Sequence, residues 1–435
     1  MAPFTIVTFL RYYLPGSSGA GPMHSISNMA ECLGDDFDFK IITSDRGGED
    51  LVPYLEFQSG SWHRIGNANV YYLSPEMRYP PHIRRLLLCL NYDIIYLNSL
   101  FSPVFTTQIL FLHKLGLIPK RPIVLAPRGE LSAGALRLHP ARKHLYLSMM
   151  QRLGLLDGIT WQASSHYEAA DIVREAGCVA HTGKIRVASD LILAPKSAIA
   201  FTRTPKVTGE LRMIFLGRIA RNKNLDGALR MLRGLGSGRV LLRIYGPIED
   251  PAYWEECRAI MNSLPRNVEV AYQGEVHHSR VHQVLSDYDL LLFPSHGENF
   301  GYVIGEALLS GCPVLTSDQT PWRDLERKGA GWALPLSCPA EFTRRLRECQ
   351  CFDEKAQNDI SSRAQDYGLQ MAARNEDIRR NRELFLAALG LNQGSIVFET
   401  EGRFHPQPIQ SDSVLPRRSE AMRTRSREQG SETLK

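Results

Sequence analysis

Short β-rich runs alternate with helix-length amphipathic stretches along most of this 435-residue chain, and that alternation restricts the fold more than any other feature. FTIVTFL, DFKIITS, DIIYLNS, IVLAPRG, GITWQAS and KIRVAS read as buried strands. Between them, GPMHSISNMAECLG and SSHYEAADIVREAG have helical spacing. Such succession predicts a parallel sheet covered on both faces. The rhythm breaks near APKSAIAFTRTPKVTGE and then restarts. LRMIFLG, LLRIYG, VEVAYQG, LLLFPS and PVLTS are the new strands, with LDGALRMLRGL, RVHQVLSDY and YVIGEALLS as helices. Length agrees, because a chain of this size exceeds one ordinary core. We expect an α/β protein of two doubly wound halves, residues 1–193 and 211–370, joined by a linker at 194–210. A helical stretch at 371–391 closes the ordered part, and the polar, Pro-containing 392–435 reads as a disordered tail. Ligands of such folds sit beyond the carboxyl ends of the strands, here in the cleft between halves.

Composition removes other classes. Hydrophobic content of 43% and charged content of 22% are those of a soluble globular protein, and a formal charge of +5 does not argue for nucleic acid. Of the eight cysteines only Cys349 and Cys351 are close, which is neither a disulfide framework nor a zinc spacing; we read a reducing cytoplasm. The N-terminus lacks the basic region, long apolar core and cleavage site of a signal peptide. LLLCLNYDIIYLNSL is broken by Asp93 and Asn98, so no spanning helix is expected. MRYPPHIRRLL and RLHPARKHLYLSMMQRLGLL set basic residues beside apolar ones. They read either as core-facing amphipathic helices or as a surface resting on anionic lipid.

Three constellations fall where the cleft should be. In FLGRIARNKNL, Arg218 and Lys223 follow a strand that ends at Gly217. A guanidinium and an ammonium there suit a diphosphate, although a solvated basic loop would look the same. In HGENFGYVIGEALLSGCPVLTS, Glu298 precedes a helix start and Glu306 lies about two turns on. The first-turn amides, near Asn299, Phe300 and Gly301, make an anion site. Two carboxylates flanking it match a ligand with a diol at each end, such as a nucleotide sugar. The plainer reading is a helix cap and a surface ion pair. The third is LPGSSGAGPMHS, where Gly16, Gly19 and Gly21 let backbone approach a ligand opposite another helix start.

PSHGENFGYVIGEALLSGCPVLTS resembles the E-x7-E signature of the retaining glycosyltransferases of family 4, and GRIARNKN resembles that family's Arg/Lys diphosphate loop. YYLPGSSGAGP and APRGELS resemble the N-terminal half of members that build bacterial exopolysaccharide and O-antigen. The resemblance spans roughly residues 5–390. It implies a GT-B fold, two Rossmann-like domains facing a central cleft, with acceptor first, donor second and the last helix crossing back. It also implies that Arg218 and Lys223 hold the donor diphosphate, Glu298 the transferred sugar and Glu306 the ribose. Asn299 to Gly301 would support the distal phosphate or sugar, and Gly19 to Gly21 would border the reacting centre. Arg128 stands where many members carry a histidine; since arginine is no general base at neutral pH, it should orient or neutralise. Ala20 interrupts a common Gly-Gly pair and is tolerable only at negative φ.

Other patterns read as structural. Asp287-Tyr-Asp289 spells the D-x-D metal motif of a different glycosyltransferase fold, but it precedes a strand. His278 and His282 lack a third ligand at the expected spacing. Ser164, Ser165 and His166 read as a helix start with Glu168 completing a capping box. The expectation is thus a metal-independent, retaining hexosyltransferase with no cofactor beyond its nucleotide diphosphate sugar. Its acceptor would be a growing lipid-linked glycan at the cytoplasmic membrane face, with no nucleic acid partner. A nucleotide-sugar 2-epimerase on the same fold and a non-catalytic binding module are the rivals.

Overall fold

A computed structural model of the chain describes residues 3–16, 20–47, 52–136, 140–176, 185–194 and 203–391. Gly19, much of the expected linker and the expected tail at 392–435 lie outside these.

The first sheet is built from β1 (Phe4–Phe9), β2 (Phe37–Ser44), β3 (Trp62–Ile65), β4 (Ala68–Leu73), β5 (Ile94–Asn98), β6 (Ile123–Ala126), β7 (Thr160–Ala163) and β8 (Ile185–Val187). Their order is β3-β4-β2-β1-β5-β6-β7-β8, and only the edge pair β3–β4 is antiparallel. The second contains β9 (Glu210–Leu216), β10 (Arg239–Tyr245), β11 (Val268–Tyr272), β12 (Leu290–Phe293), β13 (Val314–Ser317) and β14 (Gly331–Leu334). It is ordered β11-β10-β9-β12-β13-β14 and is parallel throughout.

Side chains alternate across each strand, so in the first sheet Val7, Phe9, Ile95 and Leu97 enter one core while Ile6, Ile94 and Tyr96 enter another. Both faces are covered, which is why β5 and β12 read as unbroken apolar runs. The strands not anticipated from sequence are β3, β4 and β14; Tyr71 and Tyr72, among others, hide the apolar signature of the hairpin.

The helical stretch expected at 371–391 is divided. One helix runs Glu354–Ala372 and packs on the helix Tyr302–Leu309, where Gly368 leaves no room for a side chain against Leu308 and Leu309. Arg374, with ψ of 88°, turns the chain into a second helix, Asn375–Ala388. That helix lies on the first sheet, with the Phe385 ring 5.2–6.3 Å from those of Phe37, Phe39 and Tyr96. Asn381 fastens it by donating to the carbonyl of Ser189 at 2.7 Å.

Candidate functional site

The carboxyl ends of β9 and β12 lie side by side, and hydrogen bonds weld the loops that leave them. The backbone of His296 donates to the Asn222 carbonyl at 2.9 Å, and Asn224 donates its amide to the Pro294 carbonyl at 2.8 Å. Asn224 takes a left-handed conformation (φ 58°), which ends the short turn Arg221–Lys223 and starts the helix Leu225–Leu232. This arrangement delivers the Lys223 ammonium to Glu298, 2.6 and 2.9 Å from its two oxygens. Ser295 donates to the same carboxylate at 2.7 Å, so Glu298 does not cap its helix but is turned towards the lysine. Both side chains of the pair are about one-eighth exposed.

Gly301, at φ +81°, supplies the corner from which the helix Tyr302–Leu309 departs. Phe300 is buried there, and its carbonyl accepts from the Trp322 indole at 2.7 Å. Asn299 reaches the first half, where the Ser164 hydroxyl donates to its side-chain oxygen at 2.8 Å. Glu306 follows within the helix. Its residue keeps some accessible surface, but burial of the carboxyl lifts its pKa from 4.5 to about 7. Gly305 beside it is a packing glycine: an added Cβ would come within 2.6 Å of Ile192, at the start of the crossing between halves. Arg218 is less enclosed. Its guanidinium pairs with Glu249, and both side chains are nearly half exposed.

The opposite wall is a closed ionic network. Arg128, itself at φ 57°, donates to Asp190, to Asn98 at 2.8 and 3.2 Å and to the Tyr96 hydroxyl at 2.6 Å. Burial pulls its pKa down, but Asp190 together with Tyr96, Tyr302 and Glu168 raises it on balance. Ser25, on the helix Ala20–Leu33, donates to the same Asp190 oxygen at 2.5 Å. Arg128, expected to orient or neutralise, is bonded to a protein carboxylate and is 6% exposed. Sequence gave no sign of Asp190, because VASDL has no motif around it.

Of the remaining expected residues, Gly21 lies in the first turn of that helix with open space around it. Ala20 opens the same helix, so its φ is right-handed, as the sequence required. Gly19 lies outside the described residues, and Gly16 packs under the Tyr54 hydroxyl. Ser165 caps the helix His166–Ala176, accepting from the Glu168 amide at 3.2 Å. The Glu168 carboxylate turns instead to the Ser164 amide at 2.8 Å and the Gly129 amide at 2.6 Å, tying two strand ends together. Asp289 is fully buried and holds Lys206 at 3.0 Å and Arg212 at 2.8 Å, which makes it a structural anchor. Among the described residues, no group of three or more His, Cys, Asp or Glu could hold a metal ion.

Residues 198–366 match the family model described as Glycosyl transferases group 1. No curated protein matches the chain in sequence. Among solved structures, sucrose-phosphate synthase from Thermosynechococcus elongatus superposes with a TM-score of 0.64 at 14% identity, over 89% of this chain and 100% of that one. Anabaena HepE in complex with UDP-glucose gives 0.63 at 17% identity, over 89% and 100%. WaaG, a glycosyltransferase involved in lipopolysaccharide biosynthesis, gives 0.59 at 13% identity over the same shares. Likeness at such identity speaks for architecture: the chain has the GT-B fold, and residues 198–366 of it match the group 1 glycosyl transferase model.

Proposed function

We propose that the protein is a retaining glycosyltransferase that moves a hexose-type sugar from a nucleotide diphosphate sugar to a growing, lipid-linked glycan. The observation that carries this reading is the Lys223–Glu298 pair in the loop just before a helix, about one turn into which stands Glu306. Donor binding would draw Lys223 to the diphosphate, together with Arg218 released from Glu249. Glu298, relieved of the ammonium, would accept from the sugar's hydroxyls, and Glu306 from the ribose diol. The amides from Asn299 to Gly301 would meet the distal phosphate or the sugar. In the reaction the anomeric C–O bond to the diphosphate breaks and the acceptor oxygen bonds to the same face of the sugar. The acceptor proton passes to the departing phosphate oxygen. The chain's contribution is electrostatic, stabilising charge that grows on the diphosphate, and it requires neither a protein nucleophile nor a metal.

Transfer should appear as nucleotide release from one member of a panel of UDP-, GDP- and ADP-sugars, only with acceptor present, and should persist in excess EDTA. Epimerised sugar without acceptor would favour the 2-epimerase reading, and no turnover with any donor the binding module. Loss in EDTA restored by Mg²⁺ would end metal independence.

A peripheral contact with the cytoplasmic membrane face has its own support. No helix among the described residues is long and apolar enough to cross a membrane. Yet Leu145, Met149 and Leu153, four residues apart on and just after the helix Pro140–Arg152, are 73%, 39% and 46% exposed. Lys114 donates to the Gly154 carbonyl at 3.0 Å, and Arg84 to that of Leu117 at 3.2 Å, which brings basic residues and the exposed Leu115 and Leu117 to the same surface. Co-flotation with anionic vesicles should be lost in Leu145→Glu/Met149→Glu; unchanged flotation would remove the membrane from the account.

A further inference from the structure

The end of the cleft nearest the crossing between halves holds a cavity of about 550 Å³, beyond Asn299 and Phe300 from the Lys223–Glu298 pair. Its walls come from three places. The first half contributes Ser165, Tyr167 and Ser189; the second contributes Arg323, Arg327 and Lys328; the turn between the last two helices contributes Gln370, Met371 and Arg374. Arg380 completes a set of five cations, against the acids Asp190, Asp324 and Asp377.

The acids are largely spoken for. Asp190 is held by Arg128 and Ser25, neither of which lines the cavity. Asp324 accepts from the Tyr367 hydroxyl at 2.5 Å and pairs with Arg327 at 3.2 Å. Asp377 sits 3.8 Å from Arg374, a loose pair. Of the cations, Arg380 bonds Glu376 at 2.9 Å and Arg323 donates to the Tyr167 hydroxyl at 2.9 Å. Arg327 and Arg374 keep 78% and 56% exposure, and Lys328 rests over the Tyr367 ring at 5.4 Å. These three can turn to an incoming anion without stripping a buried partner. Guanidinium forks bind phosphate oxygens in pairs, while Ser165, Ser189 and Gln370 offer bonds to hydroxyls. Met371 and Phe300 supply an apolar face, and the volume is that of a small-metabolite site.

We propose that this cavity binds a small phosphorylated sugar, at a position separate from the donor's. This goes beyond the transferase reading. Because its walls come from both halves, a ligand there favours the arrangement that brings these walls together. A nucleotide whose own binding depends on that arrangement is then linked to it, with Asn299 and Phe300 as the shared wall.

Calorimetric titration with glucose 6-phosphate, inorganic phosphate and glucose tests it, using wild type, Arg327→Glu/Arg374→Glu and Lys223→Ala. Both substituted arginines are exposed, so the first variant should fold. Glucose 6-phosphate should bind wild type and Lys223→Ala alike, more tightly than phosphate or glucose, and at least about tenfold more weakly to the charge-reversed variant. Saturation with it should shift the affinity of wild type for whichever of UDP, GDP and ADP it binds several-fold and leave that of the charge-reversed variant unshifted. No binding to wild type would overturn the proposal, as would binding lost in Lys223→Ala and kept in Arg327→Glu/Arg374→Glu. Failure of UDP, GDP and ADP alike to bind wild type would count against the transferase reading alone, since the glucose 6-phosphate titrations stand without it.

Discussion

On the first-half wall of the cleft, Arg128 is 6% exposed and bonded to Asp190, Asn98 and Tyr96; on the second-half wall, Lys223 has one carboxylate and Arg218 lies 45% exposed beside Glu249. Both walls put cations at strand ends, but only one can give them away. With its cation released, each carboxylate would keep one serine, Ser25 on Asp190 and Ser295 on Glu298, but Asp190 would be left 3% exposed without a counter-charge while Glu298 is 11% exposed and near the cleft. The first wall therefore maintains shape, and the second is suited to exchanging protein partners for ligand.

The comparison breaks most visibly at Arg128. Arg128→Met strands a carboxylate that is 3% exposed and should cost about 3–5 kcal/mol of stability by denaturant unfolding. Arg128→Met/Asp190→Asn should recover a large part of that. A stable Arg128→Met protein that has merely lost turnover would return Arg128 to the ligand.

Lys223→Ala should do the reverse, with a melting temperature close to wild type and turnover lowered by about 30- to 1000-fold, the ~2–4 kcal/mol of one electrostatic contact to the transition state. Unchanged turnover in a folded Lys223→Ala protein would remove the lysine from the site.

Glu306 gives a smaller and pH-dependent signal. Its folded pKa of about 7 stands above the ordinary 4.5, so the native state holds a proton that the unfolded chain has released between those values. This group thus lowers stability as pH rises from about 4.5 to 7. A nucleotide whose ribose needs the ionised carboxylate should bind more weakly as pH falls below about 7, by up to roughly tenfold per unit for one coupled proton. Glu306→Gln reports the ligand's own titration, and identical pH profiles in the two proteins would show that Glu306 does not ionise on binding.

Most of the architecture was legible because its signals are local. Twelve-residue neighbourhoods are enough to read β5, β12 and the helix Tyr302–Leu309. The β3–β4 hairpin was not, since tyrosines and polar residues on an edge carry weak periodicity, and neither was the break at Arg374, which has no Gly or Pro to mark it. At the site, Lys223 and Glu298 were visible as types in loops after strands. What could not be read was who holds them: Ser295, Asn222 and Asn224 act through hydrogen bonds between segments about 70 residues apart. Nor does anything near Arg128 mark its partner, since Asp190 lies 62 residues away with no motif of its own.

The account turns on Glu298 and Glu306 serving different parts of one donor. Calorimetric titration of wild type, Glu298→Gln and Glu306→Gln with the nucleoside diphosphate chosen by the donor panel tests this directly. Glu306→Gln should lose about 1–3 kcal/mol of nucleotide binding, the magnitude of a hydrogen bond to a charged group. Glu298→Gln should bind the nucleotide as well as wild type, or more tightly because Lys223 is freed, while its turnover falls steeply. Equal losses of affinity in both variants, or none in either, would contradict the division and leave the two acids as braces of a helix.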